Sequence, residues 1–225
     1  AQGQPYGDWV RSHRHDISPQ LFREQPQLEE TALLTQQTAF GYTAEDLEMT
    51  IQDMASQGKE PTYCMGNDAP LAVLSEKPHP LYNYFKQRFA QVTNPPIDPL
   101  RERLVMSLQM QLGQRHNLLD EQPSHLLKLG SPVVNDNELE LIRQGPLSVT
   151  TLSTLYVVGA GPAGLGLAIE TLCKQADADV KAGADVLILS DRIDSDGRPT
   201  RVSARYTYIP PLVSVGAIHP HLIGN

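Results

Sequence analysis

Within the 225 residues, Gly159-Ala160-Gly161-Pro162-Ala163-Gly164 has the spacing G-x-G-x-x-G. It follows the apolar run Leu155-Tyr156-Val157-Val158 and precedes a helical pattern. In that setting glycines let the backbone approach a pyrophosphate, and the helix N-terminus meets its charge. On type and order alone, Gly159, Gly161 and Gly164 would mark a dinucleotide-binding oxidoreductase fragment. Spacing argues the other way. The fingerprint needs an acid about 20 residues on, at the end of a second strand, to meet a ribose hydroxyl. That distance falls here on Lys181, Ala182 and Gly183. The first acid at a strand end is Asp191, about 30 residues past Gly161, because the intervening helix is about two turns too long. No dinucleotide is therefore expected.

The other candidate groups point to less chemistry still. His13 with His15, and His219 with His221, form H-x-H pairs, but neither has a third ligand at metal spacing. The first pair reads as solvated and the second as packing or interdomain contact, so no metal site is expected. Glu45, Asp46 and Glu48 fall in the first turn of a helix, where the dipole favours acids. Cys64 and Cys173 are the two cysteines, read as reduced thiols, and an iron-sulfur cluster needs about three or four ligands. There is no Ser-His-Asp order, P-loop or zinc signature. No catalytic residue is assigned.

The formal net charge of -8, with no Lys/Arg cluster, offers nothing to a phosphate backbone or an anionic membrane. No apolar run approaches the roughly 18 residues of a spanning helix. The start, AQGQPYGDWV, has neither the basic head nor the apolar stretch of a signal peptide. The expected location is the cytoplasm, or the plastid stroma after loss of a transit peptide.

The elements that would position these groups follow from periodicity and punctuation. Residues 1–28, rich in Pro, Gln and His, read as an extended surface arm, and residues 29–225 as one α/β domain with a helical N-terminal part. Helices are expected from Glu29 to Gln37, and from the Thr43 cap with Asp46 to about Ser56 on Leu47, Ile51 and Met54. Leu71 to Leu74 reads as a buried strand, and Leu81, Phe85 and Phe89 as one face of a core helix. Asp98 and Pro99 start another helix, striped by Leu100, Leu104, Leu108 and Leu112 until Gly113. Between these two helices, Pro95 and Pro96 stiffen the loop from Gln91 to Ile97 and hold Asn94 out of the α region. Leu127 to Val134 can enter a strand before a helix that starts at Asn135-Asp136 and ends near Gln144. A parallel βαβ unit follows, with strands at Leu155–Val158 and Val186–Asp191. Its helix turns Leu165, Ala168, Ile169, Leu172, Ala176 and Val180 inward and breaks at Gly183. Pro210 and Pro211 start the last helix.

Five blocks carry a resemblance that periodicity cannot: Met65-Gly66-Asn67-Asp68, Pro70 to Ser75, Tyr84 to Gln87, Phe89 to Asp98, and Val105-Met106-Ser107. In that order they resemble the central domain of the glutamate synthase large subunit, and weaker agreement runs from Pro5 to Ile223. Cys64, Asn67, Ala69 and Pro220 depart from the family pattern, which has Ser, Asp, Thr and His there. The resemblance implies a parallel sheet with flanking helices, similar to an incomplete (β/α) barrel and excised from a larger multidomain chain. It implies a domain linking the glutamine amidotransferase domain to the FMN-binding synthase domain and helping to wall an ammonia tunnel. The parent reaction converts glutamine, 2-oxoglutarate and reductant into two glutamates, with FMN and a 3Fe-4S cluster held by the parent enzyme and no cofactor in this domain. Electrons come from ferredoxin or from an NADPH-dependent small subunit. The parent's glutaminase nucleophile is an N-terminal cysteine, whereas this chain begins at Ala1, so by itself it is not expected to be catalytic. Carried over by motif, Met65, Thr93, Asn94 and Ile97 face the tunnel. Their neutrality suits that role, because a carboxylate lining would favour ammonium over ammonia.

Overall fold

The computed structural model describes residues 5–17, 29–58, 76, 80–85, 88, 93–113 and 125–224. The expected strand at Leu71–Leu74 and the positions Met65 and Phe89 lie outside them. The chain divides into two compact units, Ala1–Gln25 with Pro96–Asn225, and Pro26–Pro95, where the sequence reading has a single domain over 29–225.

Within 1–28, where an extended arm is expected, the described residues form the helix α1 (Tyr6–Ser12) and the strand β1 (Arg14–Asp16). Pro5 just before Tyr6 presets the helical entry, and Asp8 in the first turn suits the dipole. Pairing with a later strand overrides the polar composition that argued for an arm.

The smaller unit holds α2 (Glu30–Ala39), which ends at Phe40. Gly41 then turns the chain at φ +76°, and a Cβ there would lie 2.2 Å from Cγ of Pro80, so the turn accepts glycine alone. Thr43 caps α3 (Ala44–Asp46): its hydroxyl accepts from the Asp46 amide at 3.1 Å, while the Asp46 carboxylate accepts from the Thr43 amide at 2.9 Å. The helical path continues through a π segment, Leu47–Ile51, into α4 (Gln52–Gln57), and Gly58 in the left-handed region closes it. Where a core helix is expected on Leu81, Phe85 and Phe89, the described residues form a single 3-10 turn, Leu81–Tyr84, with Phe85 extended and 49% exposed. Aromatic residues lose rotamer freedom in a helix, and three of them in Tyr82, Tyr84 and Phe85 outweigh the i, i+4 spacing.

In the larger unit, Asp98 caps α5 (Pro99–Val105) as expected, accepting from the Leu100 and Arg101 amides at 3.0 and 2.9 Å. The helix stops at Val105 instead of Gly113, and Met110–Leu112 forms β2. Its leucine stripe does not anchor a core: Leu100 and Leu104 are 78% and 84% exposed. Strand β3 (Leu126–Leu129) takes β2 antiparallel on one side and β1 parallel on the other. Asn135 and Glu138 then close a capping box on α6 (Asp136–Arg143), with bonds of 2.9 and 2.8 Å. Buried Leu127, Leu129, Ile142 and Leu147 form one core, which Val149 and Val186 join from the next sheet.

That next sheet carries the main correction to the sequence reading. The strand parallel to β6 (Val186–Ser190) is β4 (Val149–Ser153), five residues in register from Val149↔Val186 to Ser153↔Ser190. The expected partner forms β5 (Leu155–Val157) and pairs antiparallel with β7 (Tyr206–Tyr208). Periodicity cannot see this, because β4 and β5 are separated only by Thr154 and both are rich in β-branched or aromatic residues. Over the described residues the fold is thus mixed α/β with small sheets, and their strands do not form one parallel sheet.

Helix α7 (Gly161–Lys181) and helix α8 (Pro211–Gly224) pack on each other and over the sheet. Leu152, Leu172, Cys173, Ala176, Ile209 and Ile218 are their buried core, joined by half-buried Leu165, Ala168 and Ile169. The inward face expected for α7 is the observed one. Val180 differs and opens onto a groove beside the sheet. Leu152 is 1% exposed, so Leu152→Ala should cost about 2–5 kcal/mol through lost burial and the cavity left behind. Asn135→Ala should cost about 1 kcal/mol through the cap. Urea unfolding checks both, with the midpoint falling much further for the leucine at unchanged slope.

Candidate functional site

Three places in the fold bear on chemistry. The first is the loop before α5. Thr93 and Asn94 form an exposed bend near the end of the smaller unit, and Ile97, 78% exposed, lies near the start of the larger unit's second segment. None of the three side chains carries charge. The next acid in the sequence is Asp98, whose carboxylate accepts from the Leu100 and Arg101 amides of α5 and so serves as a cap.

The second is the glycine segment. Strand β5 leads through a 3-10 turn, Val158–Ala160, into the first residue of α7, Gly161. Gly161 has φ 63° and ψ -163°, a region essentially reserved for glycine. A Cβ on Gly164 would come within 2.5 Å of the Ala160 Cβ, so this glycine serves close packing of the helix start. Both glycines thus have structural reasons to be there. In the dinucleotide fingerprint, the strand that enters the glycine turn lies beside the strand that leaves the helix. Here β5 pairs with β7 while β6 pairs with β4. The helix between is 21 residues long, and Asp191 follows at the end of β6. Neighbour and register are both wrong for a ribose contact.

The third is a groove of about 610 Å³ along β6, walled by Leu187 and Leu189 of the strand and Val215, Ile218 and Leu222 of α8. Its polar groups are largely engaged by the fold. The Asp185 carboxylate accepts from the Ser148 amide at 2.9 Å, and the fully buried Ser214 hydroxyl donates to the Pro211 carbonyl at 3.1 Å. Thr154 is buried at the upper end, its amide and carbonyl both bonded to backbone. The groove therefore suits apolar side chains better than a polar metabolite. His219 also borders it and His221 lies in the same helix; among the described residues no three His, Cys, Asp or Glu are placed to hold a metal ion. Cys173 is buried in the core and burial pushes its thiol pKa up, which makes it a poor nucleophile and a poor ligand. The sequence reading missed this groove. Its one visible signal is that Val186-Leu187-Ile188-Leu189 is apolar at consecutive positions, the mark of a strand built to be covered on both faces.

Residues 35–225 match the family described as Glutamate synthase central domain. Over 99% of its length the chain is 52% identical to ferredoxin-dependent glutamate synthase 2 of Synechocystis sp.. It is 50% identical over all its length to the chloroplastic ferredoxin-dependent glutamate synthase of Oryza sativa, and 48% identical over 98% to the ferredoxin-dependent glutamate synthase of Pyropia yezoensis. The chain spans 14% of the length of each of these relatives. No helix among the described residues is long and apolar enough to cross a membrane. A family match over residues 35–225, joined to identity near one half along almost the whole chain, means that the chain belongs to the glutamate synthase family and corresponds to its central domain.

Proposed function

We propose that this chain is the connecting domain of a ferredoxin-dependent glutamate synthase, joining the glutamine amidotransferase domain to the FMN-binding synthase domain and forming part of the wall of the ammonia path. One observation carries the reading: the chain aligns along 99% of its length with 14% of a ferredoxin-dependent enzyme at 52% identity. In the parent, glutamine hydrolysis gives glutamate and ammonia, and ammonia with 2-oxoglutarate, two electrons and protons gives the second glutamate and water. FMN and a 3Fe-4S cluster, held by other domains, would pass those electrons from the reductant to the substrate when bound. The relatives' names favour ferredoxin as the donor over an NADPH-dependent small subunit. The location follows the parent, in the cytoplasm or, as for the chloroplastic relatives, in the plastid stroma.

The domain's own part is positional. The parallel pair β4 and β6 under α7 and α8 is read as a segment of an incomplete (β/α) barrel, a rigid spacer between two active sites. Thr93, Asn94 and Ile97, with Met65, present neutral groups to the path, and Pro95 and Pro96 hold the loop's shape. A neutral wall leaves ammonia unprotonated, which an anionic wall would not do.

In the full-length enzyme, Asn94→Asp is expected to release free ammonia at least about tenfold faster per glutamine hydrolysed, equivalent to about 1.4 kcal/mol. Thermal stability should stay close to the parent's. Paired assays of ammonia and glutamate check this, and unchanged coupling would remove Asn94 from the path. The rival oxidoreductase reading is tested by titrating the chain with FAD, FMN, NAD and NADP in a calorimeter. No saturable, stoichiometric binding at micromolar concentration is expected, and any such binding would favour the rival.

A further inference from the structure

Between Asn94 and α5 the backbone has few torsions left to choose. Pro95, Pro96 and Pro99 each lock their own φ near about -65°. Asn94, Pro95 and Asp98 each precede a proline, which keeps them out of the α region. Asp98 shows that restriction, with φ -149° and ψ 159°. The soft rotations that remain are ψ of Pro96 and both torsions of Ile97.

Packing does not hold them. Ile97 is exposed, and so are Leu100 and Leu104 on the stripe of α5, so burial contributes little to keeping the start of that helix in place. Seven residues are also too few for a helix to be stable by itself. What holds the start is Asp98. Its Oδ1 accepts from the Leu100 and Arg101 amides, and its carbonyl accepts from the Glu102 amide at 3.0 Å. Its Oδ2 lies 3.3 Å from Nε of Arg101, but both side chains of that pair are well exposed, where an ion pair contributes little. The amide bonds therefore outweigh the charge. The chain passes from the smaller unit to the larger between Pro95 and Pro96, and Asp98 is the first residue after that crossing whose side chain is hydrogen-bonded.

We propose that Asp98 is a positioning residue for the ammonia path: by capping α5 it fixes how Ile97 is presented and keeps the neutral wall of Thr93, Asn94 and Ile97 closed. This rests on the reading of that loop as part of the wall. Asp98 touches no substrate and acts through the backbone. Without the cap the first turn of α5 frays, and the torsions of Asp98 and Leu100 join those of Pro96 and Ile97 as free rotations. A wall residue that swings opens a gap, and ammonia, small and neutral, escapes through it to solvent.

The test compares Asp98→Asn, Asp98→Glu and Asp98→Ala in the full-length enzyme. Asparagine caps as well as aspartate without the charge, whereas glutamate keeps the charge and is not a preferred cap. Free ammonia released per glutamine hydrolysed is expected to rise at least about fivefold in Asp98→Ala and Asp98→Glu, and to stay within about twofold of the parent in Asp98→Asn. KM for glutamine and for 2-oxoglutarate should be unchanged throughout, because neither substrate's contacts are altered. A general loss of folding would instead lower both half-reactions together and leave their ratio as it was. Coupling in Asp98→Ala equal to the parent's, or leakage in Asp98→Asn as large as in Asp98→Ala, would overturn the proposal. Amide exchange at Leu100 and Arg101 reads the cap directly, and is expected to be at least about tenfold faster in the alanine and glutamate variants than in the parent. Exchange that is equal in all four proteins would overturn it as well. Asn94→Asp, assayed alongside, separates the two readings. If it leaks and Asp98→Ala does not, the positioning role alone is lost; if neither leaks, the wall reading falls with it.

Discussion

The parallel ladder from Val149↔Val186 to Ser153↔Ser190 is the constraint on which the larger unit depends. A parallel pair cannot be closed by a tight turn, so it needs a long crossover, and α7 is that crossover. The crossover is held down by burial: Leu172, Cys173 and Ala176 of α7 meet Leu152 of β4 and Ile218 of α8. Val149 and Val186, the first residues of the ladder, also close the lower core built on Leu127, Leu129 and Ile142. Two hydrophobic cores are thereby joined through one pair of strands. Losing register by a single residue would turn both sets of side chains to the wrong face.

Much of this was legible because local signals and tertiary demands agree. The caps at Thr43, Asp98 and Asn135 were visible as residue types ahead of helical patterns, and capping is a contact within three residues. The inward face of α7 and the start of α8 at the double proline were equally local. What stayed hidden depends on partners far along the chain. Nothing within residues 149–157 tells which half will meet β6 and which β7, since Thr154 looks like either neighbour. The strands β1 and β2 are three residues each and exist because β3 lies between them. Of the leucine stripe after Asp98, Leu100, Leu104 and Leu108 are exposed, while Leu112 packs against the core from β2 and not from a helix.

The candidate site was legible in a different way. Composition and spacing gave reasons to expect no metal, cluster or dinucleotide chemistry, because each needs a set of groups and in the sequence the sets are incomplete or out of register. Family resemblance supplied Thr93, Asn94 and Ile97, which periodicity would have passed over as a turn. The groove along β6 came from neither source. It is produced by the distance between a strand edge and a helix, a quantity that no single segment encodes.

Thr154 has a wider consequence than its place between two strands suggests. Its amide is bonded to Ser190 in the parallel sheet and its carbonyl to Ile209 at the base of α8, and the residue is almost fully buried. One residue therefore rivets two sheets of opposite polarity to the segment that leads into the last helix. Shear between them would break both bonds in a dry environment, where an unmet backbone group costs about 1–3 kcal/mol. The two sheets should accordingly open together or not at all, so that a load applied at either end of this region is transmitted as through a solid beam and not absorbed at a hinge.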